Sequence, residues 1–156
     1  AINGTGGLYG YEDYDAWLEK IKRELDYENL LPNRVPSSTY FCIRKSDNKI
    51  VGMINIRHKL NDYLLAHGGH IGYSVRPVER KKGYATQILR LGLEKCYELG
   101  IDNVLVTCDK DNIGSARTIQ KNCGQLENEI KEDGEIVQRY WINVEEALKQ
   151  ETNKIR

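Results

Sequence analysis

The sequence has no excess charge of either sign: 23 lysines and arginines stand against 23 aspartates and glutamates in 156 residues. That balance excludes a global field drawing in nucleic acid, anionic lipid or acidic substrates, so any anion site must be local. No apolar run approaches the roughly 20 residues that cross a bilayer, and no basic-then-apolar signal segment opens the chain. Neither a membrane nor a nucleic-acid partner is expected, since basic residues are confined to short stretches. The four cysteines, Cys42, Cys96, Cys108 and Cys123, are widely spaced and include no Cys-x-x-Cys pair. Each falls within an apolar pattern, which reads as reduced core thiols in a cytoplasmic compartment and leaves no ligand spacing for a metal. Repeats, linkers and low-complexity blocks are missing, so the whole of 1–156 reads as one domain. Gly4, Gly6 and Gly10 make no dinucleotide-binding loop, because only three residues precede Gly4 and a buried strand is required there. The segment 1–10 reads instead as a flexible lead-in.

What is present alternates between helix and strand. Tyr14, Trp17, Leu18, Ile21 and Leu25 fall on one face of a helix expected from Glu12 to about Asn29, and Pro32 and Pro36 mark the loop after it. Strands are expected at Thr39–Arg44 and Lys49–His58, joined through the turn residues Ser46-Asp47-Asn48. A short helical excursion over Leu60–Ala66 ends at Gly68-Gly69, and His70–Val75 is a further strand. A helix expected over Tyr84–Leu99 buries Ala85, Ile88, Leu89, Gly92, Cys96 and Leu99. Then come a buried strand (Asn103–Cys108), a helix (Ile113 to about Cys123) and two strands, Gln125–Ile130 and Glu135–Ile142. The tail 144–156 is polar, a short fraying helix at most.

The stretch Gly72-Tyr-Ser-Val-Arg-Pro-Val-Glu-Arg-Lys-Lys-Gly-Tyr-Ala85 runs from strand through loop into helix and reads as an anion site. The first N–H groups of the Tyr84 helix lack internal partners and, with the helix dipole, favour a phosphate. Gly83 permits close approach of a ligand, Ala85 leaves the first turn unobstructed, and Arg80, Lys81 and Lys82 add positive charge. No Gly-x-x-x-x-Gly-Lys-Ser/Thr occurs, so this is not the nucleotide P-loop.

Arg80-x-x-Gly83-x-Ala85 after Val75-x-Pro77, with Asn112-x-x-Ser115 and Gly124 downstream, resembles the signature of the GNAT acetyltransferase family over roughly residues 11–143. The resemblance implies an α/β (α+β) fold with a mixed, mostly antiparallel central sheet flanked by helices, and acetyl-CoA as cosubstrate. It implies that backbone groups of Tyr73, Ser74 and Val75 pair with the pantetheine arm, and that N–H groups of Lys81, Lys82, Gly83, Tyr84, Ala85 and Thr86 hold the pyrophosphate. Asn112 would meet the pantetheine or thioester end, with Ser115 beside the CoA, while an N-cap role for Asn112 stays open. Three positions depart from the family pattern. Ile119 stands where relatives often carry a tyrosine, and Gly69 and Thr107 stand where they carry a glutamate. The family usually opens with a strand before its first helix; none is visible, so such a strand is expected upstream of Ala1.

Acetyl transfer needs a neutral amine, a polarised carbonyl and a departing thiolate. Direct attack in a ternary complex is expected, with a backbone N–H near Val75 holding the oxyanion. His70, opening the strand that leads to the thioester, is the first candidate base, and His58 the second; the alternative for each is a satisfied histidine at a strand end. Cys108 reads as a structural thiol, and water relays to Asp109 or Glu79 remain open. The acceptor, a small-molecule or peptide amine, has no readable code; Tyr140 and Trp141 either line its pocket or pack. The competing reading is an acyl-CoA-binding regulatory module without turnover. Edge strands in a small sheet offer a surface for a homodimer.

Overall fold

A computed structural model describes residues 3–28 and 30–154, with 151–154 as backbone only. Asn29, the expected end of the first helix, lies outside the described residues, as do the two residues at each terminus.

The first helix, α1 (Tyr14–Glu24), starts where the Asp13 side chain accepts the Asp15 N–H at 2.9 Å, the usual satisfaction of an orphan donor at a helix start. Its inward face is Trp17, Lys20, Ile21 and Glu24, while Tyr14 and Leu25 are exposed. Trp17 and Ile21 turn inward as the apolar spacing expects and Tyr14 and Leu25 do not: α1 covers a cavity lined by charged and amide side chains, so Lys20 and Glu24 turn inward as well. Strands β1 (Ser37–Arg44), β2 (Lys49–Arg57) and β3 (Ile71–Val75) follow, and β1 and β2 pair antiparallel through the expected turn. Between β2 and β3 the excursion is helical, closing with a wide turn over Leu64–Gly68. Next come α2 (Tyr84–Glu98), β4 (Asn103–Asp109), α3 (Ile113–Lys121), β5 (Gln125–Glu132), β6 (Glu135–Asn143) and α4 (Val144–Lys154).

The strands form two three-stranded antiparallel sheets, ordered β1-β2-β3 and β4-β6-β5. The expected central sheet is thus divided between β3 and β4. One core spans both halves: Ile54, Ile56 and Ile71 from the first, Val104, Val106 and Ile142 from the second, closed by Leu89, Leu93 and Ile119 from α2 and α3. Gly92 lets α2 sit close on the sheet, since a Cβ there would come within 2.5 Å of the Ile54 side chain. The polar tail forms a helix whose Val144 and Ala147 enter the same core, which explains its persistence beyond what its composition implies.

The lead-in is a correction. At 4–6 the chain is docked, not free: Thr5 carbonyl accepts from Trp17 Nε1 at 3.0 Å, and Gly6 carbonyl accepts from Lys20 Nζ at 2.6 Å. Gly4 and Thr5 are buried, and Gly4 lies so close over β3 that a Cβ would meet Gly72 O at 2.5 Å. Gly4 and Gly6 serve close approach rather than flexibility.

Candidate active site

The division of the sheet builds the site. β3 and β4 meet only at its base, where His70 N–H donates to Leu105 O at 2.8 Å and Leu105 N–H donates to His70 Nδ1 at 3.0 Å. Gly69 permits this contact, with φ +67° and only 2.5 Å from its would-be Cβ to Leu105 O. Beyond the joint β3 has a free edge. The bonds Arg57 N–H to His70 O and Arg76 N–H to Val51 O, each 2.7 Å, fix alternate residues toward β2. By the antiparallel alternation, backbone groups of Tyr73 and Val75 face the open edge, whereas those of Ser74 face β2.

The basic loop follows β3 into α2. Gly83, at φ +84°, precedes the helix with no side-chain cap and no acidic residue in the first turn. Among the described residues, no protein group accepts from the N–H groups of 81–86. A Cβ on Gly83 would meet nothing within 4 Å, so the cradle is open. Glu79 braces it, accepting from Arg44 at 2.8 Å and Lys82 Nζ at 3.0 Å; these cations, Lys82 first, hold its carboxyl below the ordinary range. Glu79 is therefore committed to the loop. Arg80 and Lys81 form no ion pair among the described residues and stay exposed.

Between the sheets lies a cleft of about 330 Å³ whose lining includes Arg57, His67, Tyr73, Asn112, Ser115 and Glu132. Asn112 is the N-cap of α3, its side chain accepting Ser115 N–H at 3.1 Å, and it lines the cleft as well. Tyr73 hydroxyl and Ser115 Oγ are 2.8 Å apart. Burial holds the Tyr73 phenol above its ordinary value. Ile119 is fully buried in the core, so the position of the family tyrosine supplies no phenol, and Tyr73 brings one from the opposite wall. Cys108 also lines the cleft, its thiol pushed up to about 11 by burial. At neutral pH it stays a thiol and makes a poor nucleophile. Thr107 donates to His67 O at 2.8 Å and Asp109 lines the cleft. Tyr140 packs in the core, and Trp141 donates to Glu127 at 2.7 Å.

Both sequence-predicted bases lie away from this cleft. His70 is 6% exposed, and because a backbone N–H donates to its Nδ1 the neutral ring carries its proton on Nε2, leaving no lone pair for a substrate. It functions as the joint between the sheets. His58 has both nitrogens occupied, by Tyr27 hydroxyl at 2.9 Å and Ser38 Oγ at 2.7 Å. The histidine that reaches the cleft is His67. Its backbone segment is tied down by Thr107, by Arg57 donating to Gly68 O at 3.3 Å, and by Arg139 donating to Leu65 O at 2.8 Å. Its Nδ1 lies 3.2 Å from Glu132 Oε2, misaligned for a hydrogen bond and without another partner.

The His70 joint carries a stability prediction. Burial, with the Arg57 charge adding, pulls its pKa down from 6.5 to about 4. Between those values the unfolded chain binds the proton and the folded chain does not, so stability falls as pH drops through that window. The loss is roughly 3 kcal/mol, read as urea midpoints against pH. His70→Asn, which keeps an acceptor for Leu105 N–H, is expected to flatten that part of the curve.

The sequence model described as "Acetyltransferase (GNAT) family" matches residues 8–125. No curated protein matches the sequence. Among solved structures, a variant of the spermidine N-acetyltransferase SpeG from Vibrio cholerae superposes with a TM-score of 0.65 at 15% identity, covering 90% of this chain and 81% of that one. The same enzyme in complex with CoA and spermine gives 0.64 at 15%, covering 88% and 79%. A GNAT-family acetyltransferase from Bacillus anthracis gives 0.57 at 23%, covering 69% and 66%. At such identities these likenesses establish the fold.

Proposed function

The chain belongs to the GNAT acetyltransferase family, and on that footing we propose that it transfers an acetyl group from acetyl-CoA to a primary amine by direct attack within a ternary complex. The observation that carries the reading is the pairing of an uncapped, open anion cradle at Gly83 with the free edge of β3. The residues present fit acetyl-CoA. N–H groups of 81–86, with Arg80, Lys81 and Lys82, would hold the pyrophosphate. Tyr73 and Val75 would pair with the pantetheine arm, Ser74 supporting them from the β2 side, and Asn112 and Ser115 would flank the thioester end. Acetyl-CoA brings the activated acetyl group that the amine attacks.

In this reading the Val75 N–H stabilises the charge developing on the carbonyl oxygen. His67, oriented by Glu132, takes the proton that the amine loses on attack. Hydrogen bonds of this kind are often loose in the free enzyme and tighten around substrate, which suits the 3.2 Å separation. The Tyr73 hydroxyl, steadied by Ser115, returns a proton to the departing thiolate. Its pKa, held high by burial, keeps the phenol protonated at neutral pH. The remaining driving force is proximity within the cleft.

A calorimetric titration of acetyl-CoA, followed by mass spectrometry of an amine panel that includes spermidine, tests this reading. Binding in the micromolar range and an acetylated amine are the expected results. A protein that binds no acetyl-CoA contradicts it.

A further inference from the structure

Arg57 differs from the other withdrawn guanidinium groups of the described residues. Arg44, Arg90 and Arg139 each meet a carboxylate. Arg57 is half-buried and forms no ion pair; its Nη1 reaches only the carbonyls of Gly68 and Gly69, at 3.3 and 3.5 Å. Both Nη atoms lie 3.5 Å from where a Cβ on Gly72 would stand, so the flat group rests over β3 where glycine leaves room. Burial lowers its pKa, with the Arg34 charge adding and the Glu24 charge opposing. Glu24 is already shared, 3.0 Å from Lys20 and 2.5 Å from Arg34, with Ser37 Oγ at 3.2 Å. Three cations therefore surround one carboxylate. The other charged groups of the adjoining cavity, Lys59 and Asp62, are exposed.

A half-desolvated cation without a counter-charge is costly unless something supplies one. Arg57 lines the cleft that also holds Tyr73, Asn112 and Ser115. Its planar fork matches an oxyanion through two parallel hydrogen bonds. The same cleft carries the carboxylates Asp109 and Glu132, complementary to an ammonium group. At about 330 Å³ it has the size of a small-metabolite site.

We propose that the acceptor is a small amine bearing an oxyanion, a carboxylate or a phosphate, and that Arg57 holds that oxyanion. The proposal rests on the acetyltransferase reading above and names the acceptor class for it. Serine, phosphoethanolamine and ethanolamine form a matched set of amines with a carboxylate, a phosphate and neither. With the unmodified protein, kcat/KM is expected to be at least about tenfold higher for one or both anionic members, as about 1.4 kcal/mol of added binding gives. Which one is preferred distinguishes carboxylate from phosphate. R57Q is expected to erase the difference and R57K to keep part of it, with acetyl-CoA affinity unchanged in both. Because Arg57 also clamps Gly68 and Gly69, a second readout uses the unmodified chain: the Arg57 Nε–H NMR signal is expected to shift with serine or phosphoethanolamine and to stay with ethanolamine.

If ethanolamine is acetylated as fast as both anionic amines, or the Arg57 signal moves with none of them, the proposal fails while acetyl-CoA binding and turnover leave the enzyme reading standing. A protein that does not bind acetyl-CoA removes both.

Discussion

Gly83→Glu is expected to weaken acetyl-CoA binding by roughly 10²–10⁴-fold while leaving the protein folded. The loss follows from what the cradle contributes. Hydrogen bonds to a charged group are worth about 1.5–3 kcal/mol each, and two of them correspond to that range in Kd. A carboxylate at position 83 sits among the N–H groups of 81–86 and competes directly with a phosphate for them. The fold has little reason to fail, because a Cβ there meets nothing within 4 Å. The φ of +84° adds about 1–2 kcal/mol of left-handed strain for a side chain. Gly83→Asn is the control, since asparagine tolerates that backbone region and brings no charge. Calorimetry on the three proteins should give tight binding for the parent, a modest loss for Asn and a near-complete loss for Glu. Equal losses for Asn and Glu would mean that backbone shape, not anion recognition, governs the loop.

His67→Ala is expected to lower kcat by roughly 10²–10⁴-fold, the usual contribution of a positioned general base, with the KM for acetyl-CoA unchanged. The substitution keeps the backbone carbonyl that Thr107 bonds at 2.8 Å and removes only the ring facing Glu132 and Tyr63. Added imidazole should restore part of the rate if the missing group is a base, whereas it cannot repair a misfolded excursion. A His67→Ala protein with the parent's kcat would assign the proton to water or to Asp109. His70→Asn, by contrast, should change the acid stability described above and leave kcat near that of the parent.

These two sites differ in how far the sequence exposes them. The cradle was legible because its parts are contiguous: a strand, Pro77, three basic residues, Gly83 and a strong amphipathic helix all fall within one stretch. Asn112 was legible for the same local reason, a capping residue three positions before the N–H it accepts. The base was not. His70 and His67 are three residues apart, and nothing local distinguishes them. The choice is made by tertiary contacts, Leu105 N–H claiming the first and Glu132, at the end of β5, standing beside the second. The excursion that carries His67 also lacks periodicity. It holds its shape through Arg57, Thr107 and Arg139, which belong to β2, β4 and β6. The docked lead-in was hidden for another reason. Glycine reads equally as freedom or as close approach, and only the packing of Gly4 on β3 decides between them. Lys20 and Glu24 of α1 escaped the hydrophobic pattern because they turn into a cavity shared with Arg34, Asn33 and Asn55.

The fold and the mechanism meet at one claim, that the acetyl group passes straight from acetyl-CoA to the amine inside the cleft. Cys108 lines that cleft, but its thiol, at about 11, is not the species that would relay an acyl group at neutral pH. Two-substrate initial-rate kinetics, run alongside intact-protein mass spectrometry with acetyl-CoA alone, tests the claim most directly. Direct transfer gives intersecting lines in double-reciprocal plots and a protein of unchanged mass. Parallel lines with an acetylated Cys108 would contradict it.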